Sequence, residues 1–164
     1  MIFVTVGNAT QQFPRLLKAV DDLSASGFFE TETVIVQTGN NTDIRLAHCQ
    51  QQAFLAMEEF EQHMHNAGLI ICHGGCGTLL HAARSGKTPV VMPRRKIYGE
   101  HVNDHQLQLV NELASQGRVV PAYEPADLTG AILEAKRRNT HSAPSHPSPM
   151  IELVAQAITE LLRQ

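Results

Sequence analysis

Leu69-Ile70-Ile71-Cys72-His73-Gly74-Gly75-Cys76-Gly77-Thr78-Leu79-Leu80 decides the fold. Four apolar residues run into a histidine and a glycine-rich bend, and an apolar pattern of helical period then begins. The stretch reads as a strand over 69–72, a tight turn, and a helix over roughly 78–85. Such a junction aims unpaired backbone N–H groups, and the positive end of the helix dipole, at one point. A phosphate or diphosphate is the usual occupant of such a point.

Outward from this turn the same alternation repeats. Residues 2–6 are apolar and largely β-branched and end at Gly7-Asn8, as a buried parallel strand does. Phe13, Leu16, Leu17, Val20 and Leu23 follow at helical spacing, with Pro14 near the start and Gly27 past the end. Residues 33–37 form a second strand, which completes a βαβ unit. A polar loop is expected over 39–52 and a short strand at Ala53-Phe54-Leu55. Met57, Phe60 and Met64 mark a helix. Pro89 to Met92 and Val119-Val120 are further strands, with helices at about 104–114 and 126–138 between and after them. The Pro- and Ser-containing segment 139–149 reads as a linker, and residues 150–164 as a C-terminal amphipathic helix.

Strands alternating with helices predict an α/β domain over 1–138, a Rossmann-like, doubly wound, mostly parallel sheet. Ligands of such sheets sit outside the carboxyl ends of the strands. Gly7-Asn8, Thr38-Gly39-Asn40, His73-Gly74-Gly75 and Pro93-Arg94 all fall at those ends, so four polar or glycine-rich loops converge on one rim.

Composition narrows the function. The 164 residues carry a net charge of −3, 5% aromatics and no Trp, which argues against a nucleic-acid partner. Cys49, Cys72 and Cys76 are an odd set without zinc spacing and read as buried thiols in a reducing compartment. No apolar run approaches the roughly 18–20 residues that span a bilayer. A cytoplasmic chain is expected, peripheral to a membrane only through a partner.

Two clusters carry the chemistry. The turn 73–78 is neither Gly-x-Gly-x-x-Gly nor a P-loop, but its glycines admit close backbone approach and Thr78 adds a hydroxyl. Residues 99–106, Gly-Glu-His-Val-Asn-Asp-His-Gln, gather groups suited to hydrogen-bonding sugar hydroxyls. Asn103 or Asp104 also suits a helix cap. His101 and His105 lack a third metal ligand, so no metal is expected. Arg94-Arg95-Lys96 reads as a solvated basic loop.

Taken together, these motifs, with Gly86-Lys87-Thr88-Pro89 and the opening Phe3-Val4-Thr5-Val6-Gly7, resemble the C-terminal, donor-binding domain of family 28 glycosyltransferases of the GT-B fold. The resemblance runs from residue 1 to about 128. It is strongest to stand-alone subunits that work with a membrane-anchored, acceptor-binding partner. It implies that Gly74, Gly75, Gly77 and Thr78 cradle the diphosphate of a UDP-sugar, with His73 beside it. Gly7 and Asn8 would lie at the cleft floor, and Asp104, His105, Gln106 and Glu100 near the donor sugar. Many relatives carry a ribose-binding glutamate where this chain has His81.

The implied activity is inverting transfer of a hexose-type sugar from a UDP-sugar to a lipid-linked or polysaccharide acceptor, as in exopolysaccharide biosynthesis. No cofactor or metal is expected, and the general base is expected in the partner. A non-catalytic sugar-nucleotide-binding module is the alternative, and His81 favours it. An open cleft face would also permit a homo-oligomer.

Overall fold

The computed structural model describes residues 1–141. Six parallel strands form one sheet: β1 (Ile2–Thr5), β2 (Val34–Gln37), β3 (Gln50–Gln52), β4 (Leu69–His73), β5 (Val90–Met92) and β6 (Val120–Pro121). Their order is β3-β2-β1-β4-β5-β6. The helices are α1 (Pro14–Ala25), α2 (Met57–Asn66), α3 (Cys76–Arg84), α4 (His105–Ser115) and α5 (Leu128–His141).

Successive strand residues point to opposite faces, and the core divides accordingly. Ile2, Val4, Leu69, Ile71, Val90 and Met92 join Leu16, Leu17 and Val20 of α1 and Leu128, Ile132 and Ala135 of α5. Phe3, Ile70, Cys72 and Val91 face the other way, onto Met64 of α2, Leu79 and Ala82 of α3 and Leu109, Val110 and Leu113 of α4. Both faces of the central strands are thus covered, which is why they read as unbroken apolar runs. The strand order reverses between the adjacent strands β1 and β4. A crevice opens there, at the carboxyl ends.

Four expectations need correction. The strand near residue 53 lies at Gln50–Gln52, paired to β2 with Ile35 opposite Gln50. Three exposed glutamines on an edge strand present no apolar pattern; backbone pairing to β2 places them there. The helix after the glycine turn begins at Cys76, so Gly77 and Thr78 lie in its first turn. Helix α5 runs on to His141, so residues 139–141 are helical rather than linker. The rest of the expected linker and the helix at 150–164 lie outside the described residues. Finally, Cys72 is buried, its thiol pushed up to about 12 by that burial, but Cys76 is exposed and Cys49 half-buried. Among the described residues no helix is long and apolar enough to cross a membrane.

Candidate functional site

A cavity of about 290 Å³ occupies the crevice between β1 and β4. Its floor is Thr5, Gly7, Asn8 and Gln37, its far side the turn from His73 through Gly75, Gly77 and Thr78 to His81, and its apolar wall Leu55, Met57 and Phe60. The structure therefore brings together Gly7, Asn8, His73, Gly75, Gly77, Thr78 and His81 of the residues expected from sequence.

The turn is built around His73. Its imidazole is buried between two glycines, and a Cβ placed on either Gly7 or Gly75 would overlap the ring. Gly7 also has φ +71, in the left-handed region that glycine tolerates. Burial, aided by the nearby Arg94 charge, pushes the His73 pKa down to about 4, against the backbone carbonyl of Thr5, which works the other way. His73 is thus neutral at pH 7. Its Nδ1 makes no hydrogen bond of good geometry among the described residues.

Behind His73, no side chain caps the N-terminus of α3. The Leu79 N–H closes the first turn onto the Gly75 carbonyl at 3.0 Å. The N–H groups ahead of it have no partner within the helix. They lie where Gly75, Gly77 and Thr78 meet the cavity. An anion there would meet N–H donors and roughly half a positive charge from the helix dipole.

His81 stands one turn further along α3. Its Nδ1 lies 3.7 Å from Glu61 Oε1, and its ring meets Phe60 edge-on at 5.4 Å. Phe60 packs in turn against Phe3, so the apolar wall is anchored in the core.

Gly74 does not line the cavity. A Cβ on it would come 2.9 Å from Val110 Cγ2 and 3.1 Å from Gln106 Cβ, so it admits α4 close to the turn. Glu100, Asp104, His105 and Gln106 also lie outside the cavity lining. Glu100 is buried, and Arg15 grips it through Nε to Oε1 at 2.9 Å and Nη2 to Oε2 at 2.8 Å. Its Oε2 also accepts the Arg95 N–H at 3.0 Å. Gln106 is buried with Oε1 accepting the Arg94 N–H, and Asp104 accepts the Lys96 N–H at 2.9 Å instead of capping α4. His105 is exposed, its N–H bonded to Asn103 Oδ1.

Arg94 corrects the expectation of a solvated basic loop. It is fully buried, and its guanidinium donates to the carbonyls of Val6 at 2.8 Å, Gln11 at 2.7 Å and Glu100 at 3.2 Å, while stacking over Phe13. Burial draws its pKa down to about 10, so the charge persists at neutral pH. It ties the loop after β1 to the loop after β5. Sequence reasoning also missed Thr5 and Gln37. The available signal was a polar residue ending an otherwise apolar strand, at the carboxyl edge in both cases. No group of three His, Cys, Asp or Glu placed to hold a metal occurs among the described residues.

Residues 1–161 match the glycosyltransferase family 28 C-terminal domain. The chain belongs to that family. Among curated relatives, the human UDP-N-acetylglucosamine transferase subunit ALG13 is 28% identical over 125 residues. That match covers 72% of this chain but 10% of the human protein. The Yarrowia lipolytica protein of the same name is 25% identical, over 98% of this chain and 83% of its own length. Solved structures with the same fold include the glycotransferase of kitacinnamycin (TM-score 0.63, 18% identity, 99% of this chain and 38% of that one). Acinetobacter baumannii MurG aligns with TM-score 0.52 at 19% identity, over 93% of this chain and 49% of its own. The calicheamicin glycosyltransferase CalG4 aligns with TM-score 0.53 at 17% identity, over 98% and 43%. The family 28 domain here thus spans less than half of each of these GT-B chains.

Proposed function

We propose that this family 28 domain is the donor-binding subunit of a two-component, inverting glycosyltransferase. It would hold a UDP-sugar of hexose type, and a membrane-anchored partner would present a lipid-linked or polysaccharide acceptor. The observation that carries this reading is the uncapped N-terminus of α3, opening through the glycine turn into a cavity with a polar floor and an apolar wall. The relatives named as UDP-N-acetylglucosamine transferase subunits support it.

In this reading the diphosphate lies at Gly75, Gly77 and Thr78. The nucleoside lies along Leu55, Met57 and Phe60, with His81 in reach of the ribose. As the acceptor oxygen attacks the anomeric carbon and that carbon's bond to the diphosphate breaks, negative charge grows on the leaving UDP. Backbone N–H groups and the helix dipole are already aimed at it, and the buried Arg94 charge adds to the same field. His73, neutral, contributes shape and hydrogen bonding rather than charge. The acceptor's proton leaves on the acceptor side, so the general base belongs to the partner.

Calorimetric titration of the full chain with UDP and with UDP-N-acetylglucosamine tests this. Saturable binding that Gly75→Asp abolishes is expected. Binding of neither nucleotide, alone or with the partner present, would sink the reading.

A further inference from the structure

Four groups on the cavity floor form a chain of hydrogen bonds with a direction. The Gly7 N–H donates to Thr5 Oγ1 at 3.2 Å. Thr5 Oγ1 donates to Gln37 Oε1 at 3.2 Å, and Gln37 Nε2 donates to Asn8 Oδ1 at 3.3 Å. Thr5 and Gln37 are buried, whereas Asn8 is exposed to the cavity.

The direction follows from what each group can do. A backbone N–H only donates, so the Thr5 hydroxyl accepts there. Its single proton goes to Gln37 Oε1, the one acceptor it meets among the described residues. Gln37 must then turn its amide nitrogen to Asn8, and only Oδ1 of Asn8 can accept it. The Asn8 backbone is held as well, because Asn40 Nδ2 donates to the carbonyls of Asn8 at 3.2 Å and Ala9 at 3.1 Å. What remains is Asn8 Nδ2, with two N–H groups that meet no acceptor among the described residues.

We propose that Thr5 and Gln37 are positioning residues that polarise Asn8, fixing it as a hydrogen-bond donor to an oxygen of the bound ligand. The inference rests on the UDP-sugar reading of this cavity. The oxygen belongs either to the phosphate nearest the sugar or to the sugar itself; both chemistries present an acceptor. Asn8 touches the ligand, and Thr5 and Gln37 act through Asn8.

The test is a double-mutant cycle read by calorimetry with UDP and UDP-N-acetylglucosamine, on variants whose thermal midpoints are also measured. Asn8→Ala should weaken binding about tenfold, the scale of one hydrogen bond to a charged or polar ligand oxygen. Loss for both ligands assigns the contact to phosphate, and loss for the sugar nucleotide alone assigns it to the sugar. Thr5→Val, nearly isosteric, should weaken binding about threefold by freeing both amides to turn, and Thr5→Ser should restore it. In the Asn8→Ala background, Thr5→Val should do nothing further. Gln37→Met enters the same cycle should Thr5→Val fold poorly. Full affinity in Asn8→Ala, or Thr5 and Gln37 effects that persist without Asn8, would overturn the relay while leaving nucleotide binding intact. A wild-type chain that binds neither nucleotide would remove the functional reading and the relay with it.

Discussion

The His73 imidazole fills the space that a side chain on Gly75 would need. A Cβ there would overlap its Nε2 and crowd Cδ2 at 2.9 Å. Gly75→Ala should therefore cost about 1–3 kcal/mol through overpacking. The cost should vanish in a His73→Ala background. Gly7→Ala should behave differently, because its φ of +71 adds backbone strain that removing the ring does not relieve. About 1 kcal/mol should remain there. Urea denaturation of the two cycles checks both statements; strictly additive effects at Gly75 would contradict the first.

His73 also makes stability depend on pH. Its folded pKa of about 4 lies below the ordinary value of 6.5, so between those limits the unfolded chain binds the proton and the folded chain does not. The stabilisation is complete above pH 6.5 and is lost as pH falls through about 4. The full span is on the order of 3 kcal/mol. Denaturation midpoints from pH 7 to 4 should fall less steeply in His73→Gln than in the wild type. Parallel curves would argue against the buried neutral ring.

Arg94 should resist conservative replacement. Its forked guanidinium reaches carbonyls from residues 6, 11 and 100, which a lysine ammonium cannot match. Arg94→Lys should destabilise by roughly 3 kcal/mol, leaving buried carbonyls unpaired, and nearly as much as Arg94→Met. Thermal unfolding of both variants reads this directly; a Lys variant close to wild type would show that charge alone suffices.

The buried pair Arg15–Glu100 separates support from ligand contact. Removing one partner leaves a charge uncompensated, at a cost of about 3–5 kcal/mol, so Arg15→Met should unfold readily. Glu100→Gln should lower stability while changing the affinity for UDP and UDP-N-acetylglucosamine by less than about twofold. A well-folded Glu100→Gln that loses only the sugar nucleotide would return Glu100 to the sugar.

What the sequence made legible was whatever local chemistry repeats. The apolar runs of β1, β2, β4 and β5 announce a buried parallel sheet, and the glycines after them announce the rim. Seven of the twelve expected site residues meet in one cavity because they sit at the ends of adjacent strands. Glu100 and Gln106 look like sugar-binding residues in sequence; in the fold both Glu100 oxygens and Gln106 Oε1 also accept hydrogen bonds from Arg15, Arg95 and Arg94. Arg15 comes from a distant segment, and no spacing rule links position 15 to position 100. Arg94 was misread for the same reason. Its carbonyl partners are backbone groups, which any sequence supplies and none advertises. The sequence pattern puts β3 three residues too far along, at 53–55, because edge pairing asks little of side chains.

The loop after β1 is tied from both flanks of the sheet. Arg94 holds the carbonyls of Val6 and Gln11 from the β5 side, and Asn40 holds those of Asn8 and Ala9 from the β2 side. The entropy of ordering that loop is therefore spent during folding, and a ligand arriving later does not meet it again. Such preorganisation has a counterpart. A floor anchored on both sides cannot swing shut over a ligand, so if the proposed transfer takes place here, shielding its reacting centre from water would fall to a different element lying over this face.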